Sequence, residues 1–404
     1  MRVLMTTRGS SGHVTPLAPF ARAFICAGHE VLVAAQRQNA HNVERTGLRF
    51  APLDDPPLEE WMPLMAQFGA LGIEEANARM IAEFFASIDT RAALPGLRAI
   101  VEEWQPDVIV RESWEFASTL VAELYDIPIV RVGLGLAQVE ELSVRLATPA
   151  TNALRSQLGL PIDPAGDRMR ETPYLTMMPV ALEDPAAPLP PRTHRFAEAL
   201  PGDAAPLPDW WPGNDDPLVY VTLGSVAPGA HMPYYPALYE AVLAELAALP
   251  VRILLTIGND RDPAELGNVP ANVRVERWVA QDDVLAHAAA IVGHGGYGTT
   301  LGALRRGVPL AVMPLFSSDQ WANAAAVARA GAGLALDAER ATRPVLALPG
   351  PDTIAGLRPA VRQVLEDGSL AAGARRIAAD MHGQPPVEDA VGVLAAIAGV
   401  RAAA

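Results

Sequence analysis

Short apolar runs alternate with helix-spaced segments along most of the chain. Arg2–Thr7 is a strand-like run ending in the turn Gly9-Ser10-Ser11-Gly12, directly before His13. Leu17–Ala27 then follow with helical spacing. Pro16 sits where a first helical turn tolerates it, Gly28 closes the element, and Glu30–Ala35 is the next strand. This βαβ unit predicts the opening of a doubly wound parallel sheet. From Pro52 to Arg91 the alternation breaks down, and the stretch introduced by Pro56-Pro57 carries Trp61, Met62, Met65, Phe68, Met80, Phe84 and Phe85. The pattern resumes with a helix up to Trp104, strand Val108–Val110, a helix over Phe116–Tyr125 and strand Ile129–Val132.

The second half repeats this logic. Leu218–Leu223 reads as a buried strand ending in Gly224-Ser225, much as Arg2–Thr7 ends in Gly9-Ser10. Helix Pro236–Ala248 and strands Val251–Thr256, Val273–Glu276, Ala290–Gly293 and Leu310–Met313 predict a second parallel α/β sheet, with a helix from Thr299 to Arg306 stopped by Gly307. The C-terminal segment reads as helical, broken at Gly368 and Pro385-Pro386. Residues 183–217 are rich in Pro and Asp. The expected division is therefore a domain over 1–205, a linker over 206–217 and a second domain over 218–404, whose last helices pack back on the first.

Composition narrows the function classes. A chain of 404 residues suffices for two full cores. Only 19% of residues are charged, yet no uninterrupted apolar run approaches the ~20 residues a membrane span needs. Arg2-Val-Leu-Met-Thr leads straight into an apolar strand, so no signal peptide is expected. Cys26 is alone, which excludes a disulfide framework and a cysteine-based metal site. A cytoplasmic protein is the expectation. The net charge of −15 argues against a nucleic-acid partner, because no basic face is left to neutralise a phosphate backbone. Asp260-Arg261-Asp262 has the form of a metal-binding pair but lies in a loop without helper ligands, and no metal or cofactor is expected.

The chemistry concentrates in the segment His294–Gln320. A strand, a Gly-rich turn (Gly295, Gly296, Gly298) and a helix start bring backbone N–H groups to a positive helix end, a site for phosphate. His294, Thr299 and Thr300 add side-chain donors, and Asp319 and Gln320, just past the next strand, suit sugar hydroxyls. Trp278, with Val279 and Gln281, falls at the same edge, where an indole stacks on a nucleobase. Ligands of parallel sheets bind beyond the strands' C-terminal ends, which puts Gly12, His13 and Glu112 at the binding edge of the first domain. There a carboxylate can orient and charge-stabilise an imidazole, although an exposed loop glutamate fits the position equally. The Met- and aromatic-rich insertion, with Trp61, Met65, Phe68 and Phe84, is the candidate wall for an apolar second substrate. Leu134 and Met178 contribute from the same side.

Together, G-x-x-G-H near the N-terminus, Trp278 and His294-Gly-Gly-Tyr-Gly-Thr-Thr300 followed by GVPLAVMPLFSSDQ make the chain resemble the UDP-glycosyltransferase-like family. These are inverting glycosyltransferases of the GT-B fold, and the similarity is to the bacterial natural-product members. The resemblance covers essentially the whole chain. It implies two Rossmann-like domains across a cleft, a nucleotide-sugar donor and a hydrophobic small-molecule acceptor. It implies His13 as general base, with Glu112 where many members have an aspartate, and Glu115 as the other acid available. Ser225, His294, Gly296, Thr299 and Thr300 match diphosphate contacts, Trp278 and Gln281 the base contacts, and Asp319-Gln320 the sugar-binding pair. Many members carry a glutamate eight residues after the motif histidine, which holds both ribose hydroxyls. Here that position is Gly302, which tilts the expected nucleotide from UDP toward dTDP. Two other readings exist: a nucleotide-sugar 2-epimerase of the same fold, and a non-catalytic helper of a partner transferase. The base at His13 and the apolar insertion speak against the first, and retention of both base and donor loop against the second.

Overall fold

The apolar runs become two separate parallel sheets. A computed structural model describes residues 1–200, 202, 204–229, 231–336 and 343–399. The first sheet comprises β1 (Arg2–Thr6), β2 (Glu30–Gln36), β3 (Phe50–Leu53), β4 (Val108–Glu112), β5 (Ile129–Val132), β6 (Tyr174–Thr176) and β7 (Thr193–Arg195), in the order β3-β2-β1-β4-β5-β6-β7. The second comprises β8 (Leu218–Thr222), β9 (Arg252–Thr256), β10 (Val273–Glu276), β11 (Ala290–Gly293), β12 (Leu310–Val312) and β13 (Gly333–Ala335), in the order β10-β9-β8-β11-β12-β13. The strands pair in parallel throughout both sheets. Helices cover both faces, so the central strands are buried on both sides and read as continuous apolar runs. This is the GT-B architecture.

The strand order decides where chemistry can sit. In the first sheet the chain winds outward from β1 in one direction through β2 and β3, then in the other from β4. In the second it reverses in the same way between β8 and β11. Loops leaving the two strands at such a switch point diverge to opposite faces and open a crevice. His13 follows β1, Glu112 ends β4, Ser225 follows β8 and His294 follows β11. Four residues remote in sequence thus reach two crevices, and these crevices face each other.

The structure departs from the sequence expectations in several places. The stretch from Pro52 is not a break in regular structure but helical: Leu58–Phe68, Ile73–Arg79, a π-helical segment Met80–Asp89, and Thr90–Trp104. Its hydrophobic pattern follows two surfaces at once, the first domain's core and the second domain, which blurs a single helical period. The short strands β6, β7 and β13 were not anticipated, since three residues carry too little periodicity. The helix after His294 starts at Tyr297, two residues earlier than expected, with Gly296 as its N-cap.

The two domains touch through specific groups. Glu198, just after β7, accepts from Arg22 and from Arg305 at 2.8 Å each, and Arg305 also reaches Asp282 at 2.7 Å. Ala197 pairs with the segment Pro385–Val387, and the final described helix, Ala390–Ile397, packs on the first domain's helix Ala18–Cys26. Residues 400–404, within the expected second domain, lie outside the described residues. Arg305 is largely enclosed, and removing it takes the cation from Asp282 and leaves Glu198 with Arg22 alone. Arg305→Ala is therefore expected to lower stability by about 1–3 kcal/mol, measured by chemical denaturation, with Arg305→Lys recovering only part.

Candidate functional site

The first half of the site is built around a buried acid. Glu112 closes β4 with no solvent exposure, where an ionised carboxylate survives only if its oxygens are fully occupied. Its Oε1 lies 2.9 Å from His13 Nδ1 and accepts the Arg8 backbone N–H at 3.3 Å. Its Oε2 accepts the Trp114 backbone N–H at 2.5 Å. Burial pushes the Glu112 pKa up, but His13, the Trp114 N–H and nearby Arg8 outweigh it and hold the carboxyl below its ordinary value. An ionised Glu112 requires Nδ1 of His13 to carry the proton, which leaves Nε2, on the opposite side of the ring, as the basic nitrogen. Glu115, the other acid near in sequence, does not take part. It is bound to Thr6 Oγ1 at 2.8 Å and to Ser118, and burial raises its pKa.

The loop carrying His13 is fixed from behind. Gly9 adopts φ +86°, and a Cβ there would lie 2.6 Å from Asn39 Cβ. Asn39 and Asn42 donate to the carbonyls of Arg8 and Gly9, both at 3.0 Å. Arg8 pairs with buried Asp89 at 2.6 Å, and its guanidinium lies 3.6 Å from the centre of the Phe85 ring. A train of aromatic rings extends away from the imidazole: His13 to Trp114 at 6.0 Å, Trp114 to Phe85 at 5.5 Å, Phe85 to Phe84 at 5.7 Å, and Phe84 to Trp61 at 6.1 Å. Trp114 and Arg8 were missed in the sequence. The signal for Trp114 was its place two residues past a strand end. Of the other predicted wall residues, Met65 is half-buried. Phe68 packs with Trp321 and Val345 of the second domain, and Leu134 and Met178 are enclosed in the core. The train of rings leading from His13 thus lies on the insertion and on Trp114, while Leu134 and Met178 are buried.

The second half is a glycine-lined cradle around His294. The His294 ring is pressed between Gly224 (φ +78°) and Gly296, where an added Cβ would come within 2.5 Å of ring atoms at either position. Burial drives the His294 pKa down to about 4, only partly opposed by the Thr222 backbone, so the imidazole is neutral at pH 7. The first helical bond after it runs from Thr300 N–H to Gly296 O at 3.0 Å. The N–H groups of Tyr297, Gly298 and Thr299 are thereby left at the positive end of a nine-residue helix. Exposed Ser225 joins them, and its hydroxyl lies 3.0 Å from that of Ser11 across the cleft, beside Gly12. Thr300 is turned inward, its hydroxyl closed off from solvent.

Trp278 is 63% exposed, an indole face open at the cleft edge, while Val279 packs against the core. Gln281 leans over Gly302: a Cβ on Gly302 would lie 2.4 Å from Gln281 Nε2, which itself donates to Gly298 O at 3.4 Å. A cavity of about 520 Å³ opens here between the domains, reached by Thr15 and Pro16 from one side and Gln281, Gly298 and Gly302 from the other. Burial raises the Asp319 pKa, opposed chiefly by a hydrogen bond with Ser317. Gln320 is differently employed: its Oε1 accepts from the Leu315 and Phe316 N–H groups at 2.8 and 3.1 Å, leaving only its NH2 for a ligand. Among the described residues no cluster of three or more His, Cys, Asp or Glu is arranged to hold a metal ion, and no helix is long and apolar enough to cross a membrane.

Fold and site together define a glycosyltransferase of the GT-B class. Models for the erythromycin biosynthesis protein CIII-like family match its N-terminal domain at residues 22–171 and its C-terminal domain at residues 240–397. The chain belongs to this family, of the bacterial natural-product type. It is 31% identical to L-demethylnoviosyl transferase of Streptomyces niveus over 95% of both chains. It is also 31% identical to 4'-demethylrebeccamycin synthase of Lentzea aerocolonigenes, over 97% of this chain and 98% of that one. The crystal structure of glycosyltransferase VinC in complex with dTDP superposes with a TM-score of 0.74 at 25% identity, covering 99% of this chain and 100% of the other.

A histidine held neutral in the fold carries a pH signature. With a folded pKa of about 4 against an unfolded value near 6.5, the unfolded state binds a proton that the native state refuses, so stability falls as pH drops through this window. Between pH 7 and pH 5 the unfolding free energy of the native sequence is expected to drop by about 2 kcal/mol more than that of His294→Asn, measured by urea titration.

Proposed function

We propose that this enzyme moves a sugar from a dTDP-sugar to a hydroxyl of a hydrophobic natural-product aglycone by a single inverting displacement. The observation that carries the reading is the His13–Glu112 pair. An imidazole whose Nδ1 proton is committed to an ionised, buried carboxylate presents Nε2 as a base, and the imidazolium formed on proton uptake is stabilised by the same carboxylate. The acceptor lies against Trp114, Phe85, Phe84 and Trp61, with its hydroxyl at His13. As its oxygen attacks the anomeric carbon, Nε2 takes the proton and the nucleoside diphosphate leaves from the opposite face. The helix start at Tyr297–Thr299, Ser225 and the neutral His294 receive the charge that builds on the leaving diphosphate, so this reading requires no metal. Asp319 and the Gln320 NH2 hold sugar hydroxyls.

Support for a thymidine nucleotide comes from the donor side. Gln281 occupies the space that a side chain at position 302 would need, so no carboxylate stands there to hold two ribose hydroxyls at once. A deoxyribose, with one such hydroxyl, loses less. The dTDP held by VinC points the same way. The linkage made and the aglycone are open to a donor-by-acceptor panel read by mass spectrometry.

His13→Ala is expected to reduce transfer by ~10²–10⁴ while leaving nucleotide affinity nearly unchanged, in acceptor assays and calorimetry. Turnover retained on an ordinary hydroxyl acceptor refutes the base assignment. In thermal shift, dTDP is expected to raise the melting midpoint more than UDP at equal concentration. Tighter UDP binding overturns the thymidine reading.

A further inference from the structure

The segment Pro314–Ser318 precedes the sugar-facing pair Asp319-Gln320, and most of its supports come from its own domain. Arg343 donates to the carbonyls of Pro314 and Leu315, Gln320 Oε1 takes the N–H groups of Leu315 and Phe316, and the Tyr234 ring stacks on Phe316. One support comes from the other domain. Asn77, on the helix Ile73–Arg79 of the apolar insertion, donates through Nδ2 to Phe316 O at 3.0 Å and accepts the Ser318 N–H on Oδ1 at 3.1 Å. Its second amide hydrogen goes to Ile73 O at 2.7 Å. Both hydrogens and the carbonyl are thus used, and the alternative orientation of the amide would set NH2 against an N–H.

This contact is embedded, not incidental. Asn77 is buried, and around it Ile73 and Ala76 pack with Trp321 and Val345 in one apolar cluster. The Val345 N–H also donates to Leu71 O at 2.9 Å, beside a bridge between Gly72 and Pro344. The same insertion carries Trp61, Phe84 and Phe85, the aromatic wall that leads to His13. A single stretch of the first domain therefore shapes the apolar wall with one part and grips the second domain's sugar loop with another.

We propose that Asn77 is a positioning residue that sets the Asp319 carboxylate for the donor sugar by clamping the backbone of Phe316 and Ser318 from the opposite domain. The proposal rests on the reading of Asp319 as sugar-facing. The clamp restrains only the segment beneath the sugar. The diphosphate cradle at Gly296–Thr299 and the base site at Trp278 hang on other strands, so nucleotide binding does not depend on it. Asn77→Asp keeps the acceptor for Ser318 N–H but turns a carboxylate oxygen toward the carbonyls of Phe316 and Ile73, and Asn77→Ala removes the grip altogether.

The test measures binding of dTDP and of dTDP-glucose by calorimetry to native protein, Asn77→Ala, Asn77→Asp and Asp319→Asn, with UDP and UDP-glucose run alongside. Folding of each variant is checked by circular dichroism. For Asn77→Ala the Kd for the sugar nucleotide is expected to rise about five- to tenfold with that for the bare nucleotide held within about twofold, and Asn77→Asp is expected to do the same. Asp319→Asn should show the same split. If Asp319→Asn shows the split and neither Asn77 variant does, the clamp is refuted while the sugar-site reading stands. Equal weakening of both ligands by the Asn77 variants also refutes it, since that is what general loosening of the domain contact would produce. If Asp319→Asn weakens neither ligand, the sugar-facing reading falls and the clamp with it.

Discussion

A carboxylate without solvent can remain charged only if everything around it is arranged to keep it so, and Glu112 imposes that condition on the first domain. Its place at the end of a fully buried strand fixes the distance to the loop after β1. The Arg8 N–H shares Oε1 with His13, the Trp114 N–H takes Oε2, and Arg8 is itself held by Asp89 from the π-helical segment. The tautomer of His13 follows from this arrangement. The turn at Trp114 holds the second oxygen of this carboxylate through its backbone N–H.

The donor side obeys a complementary constraint, the absence of side chains. His294 sits where it does because Gly224 and Gly296 leave room on both of its faces, and Gln281 reaches its position because residue 302 has no Cβ. Burial then removes the proton that histidine would otherwise carry near pH 6.5, making the ring a neutral hydrogen-bonding group. The two halves work on opposite principles. The Glu112–His13 pair is tuned by charge, and the cradle around His294 by backbone dipoles and space.

Directional contacts between the domains include Ser11 with Ser225, the Glu198–Arg305–Asp282 chain, the pairing of Ala197 with Pro385–Val387, Arg329 on the Leu182 carbonyl, and the Asn77 amide. They work beside apolar packing: one buried cluster unites Phe20 and Phe196 with Tyr297, Met381 and Leu394, and another joins Ile73 and Ala76 to Trp321 and Val345.

The parallel two-sheet architecture was legible in the amino-acid pattern, because strands buried on both faces must be apolar throughout and their turns must be Gly-rich. The placement of His13, Glu112, Ser225, Trp278, His294 and Asp319 at or beyond strand ends was legible for a related reason: short apolar runs and the Gly-rich turns after them mark where parallel strands stop. What tertiary structure alone decided is direction and partnership. Glu112 and Glu115 lie three residues apart, and only the fold turns one toward His13 and the other toward Thr6 and Ser118. How deeply Met178 and Leu134 are buried was likewise decided by the fold, and Trp114 and Asn77 had no periodicity to announce their contacts. Hydrophobic pattern reports whether a side chain avoids water. It does not report which neighbour, from which domain, takes the water's place.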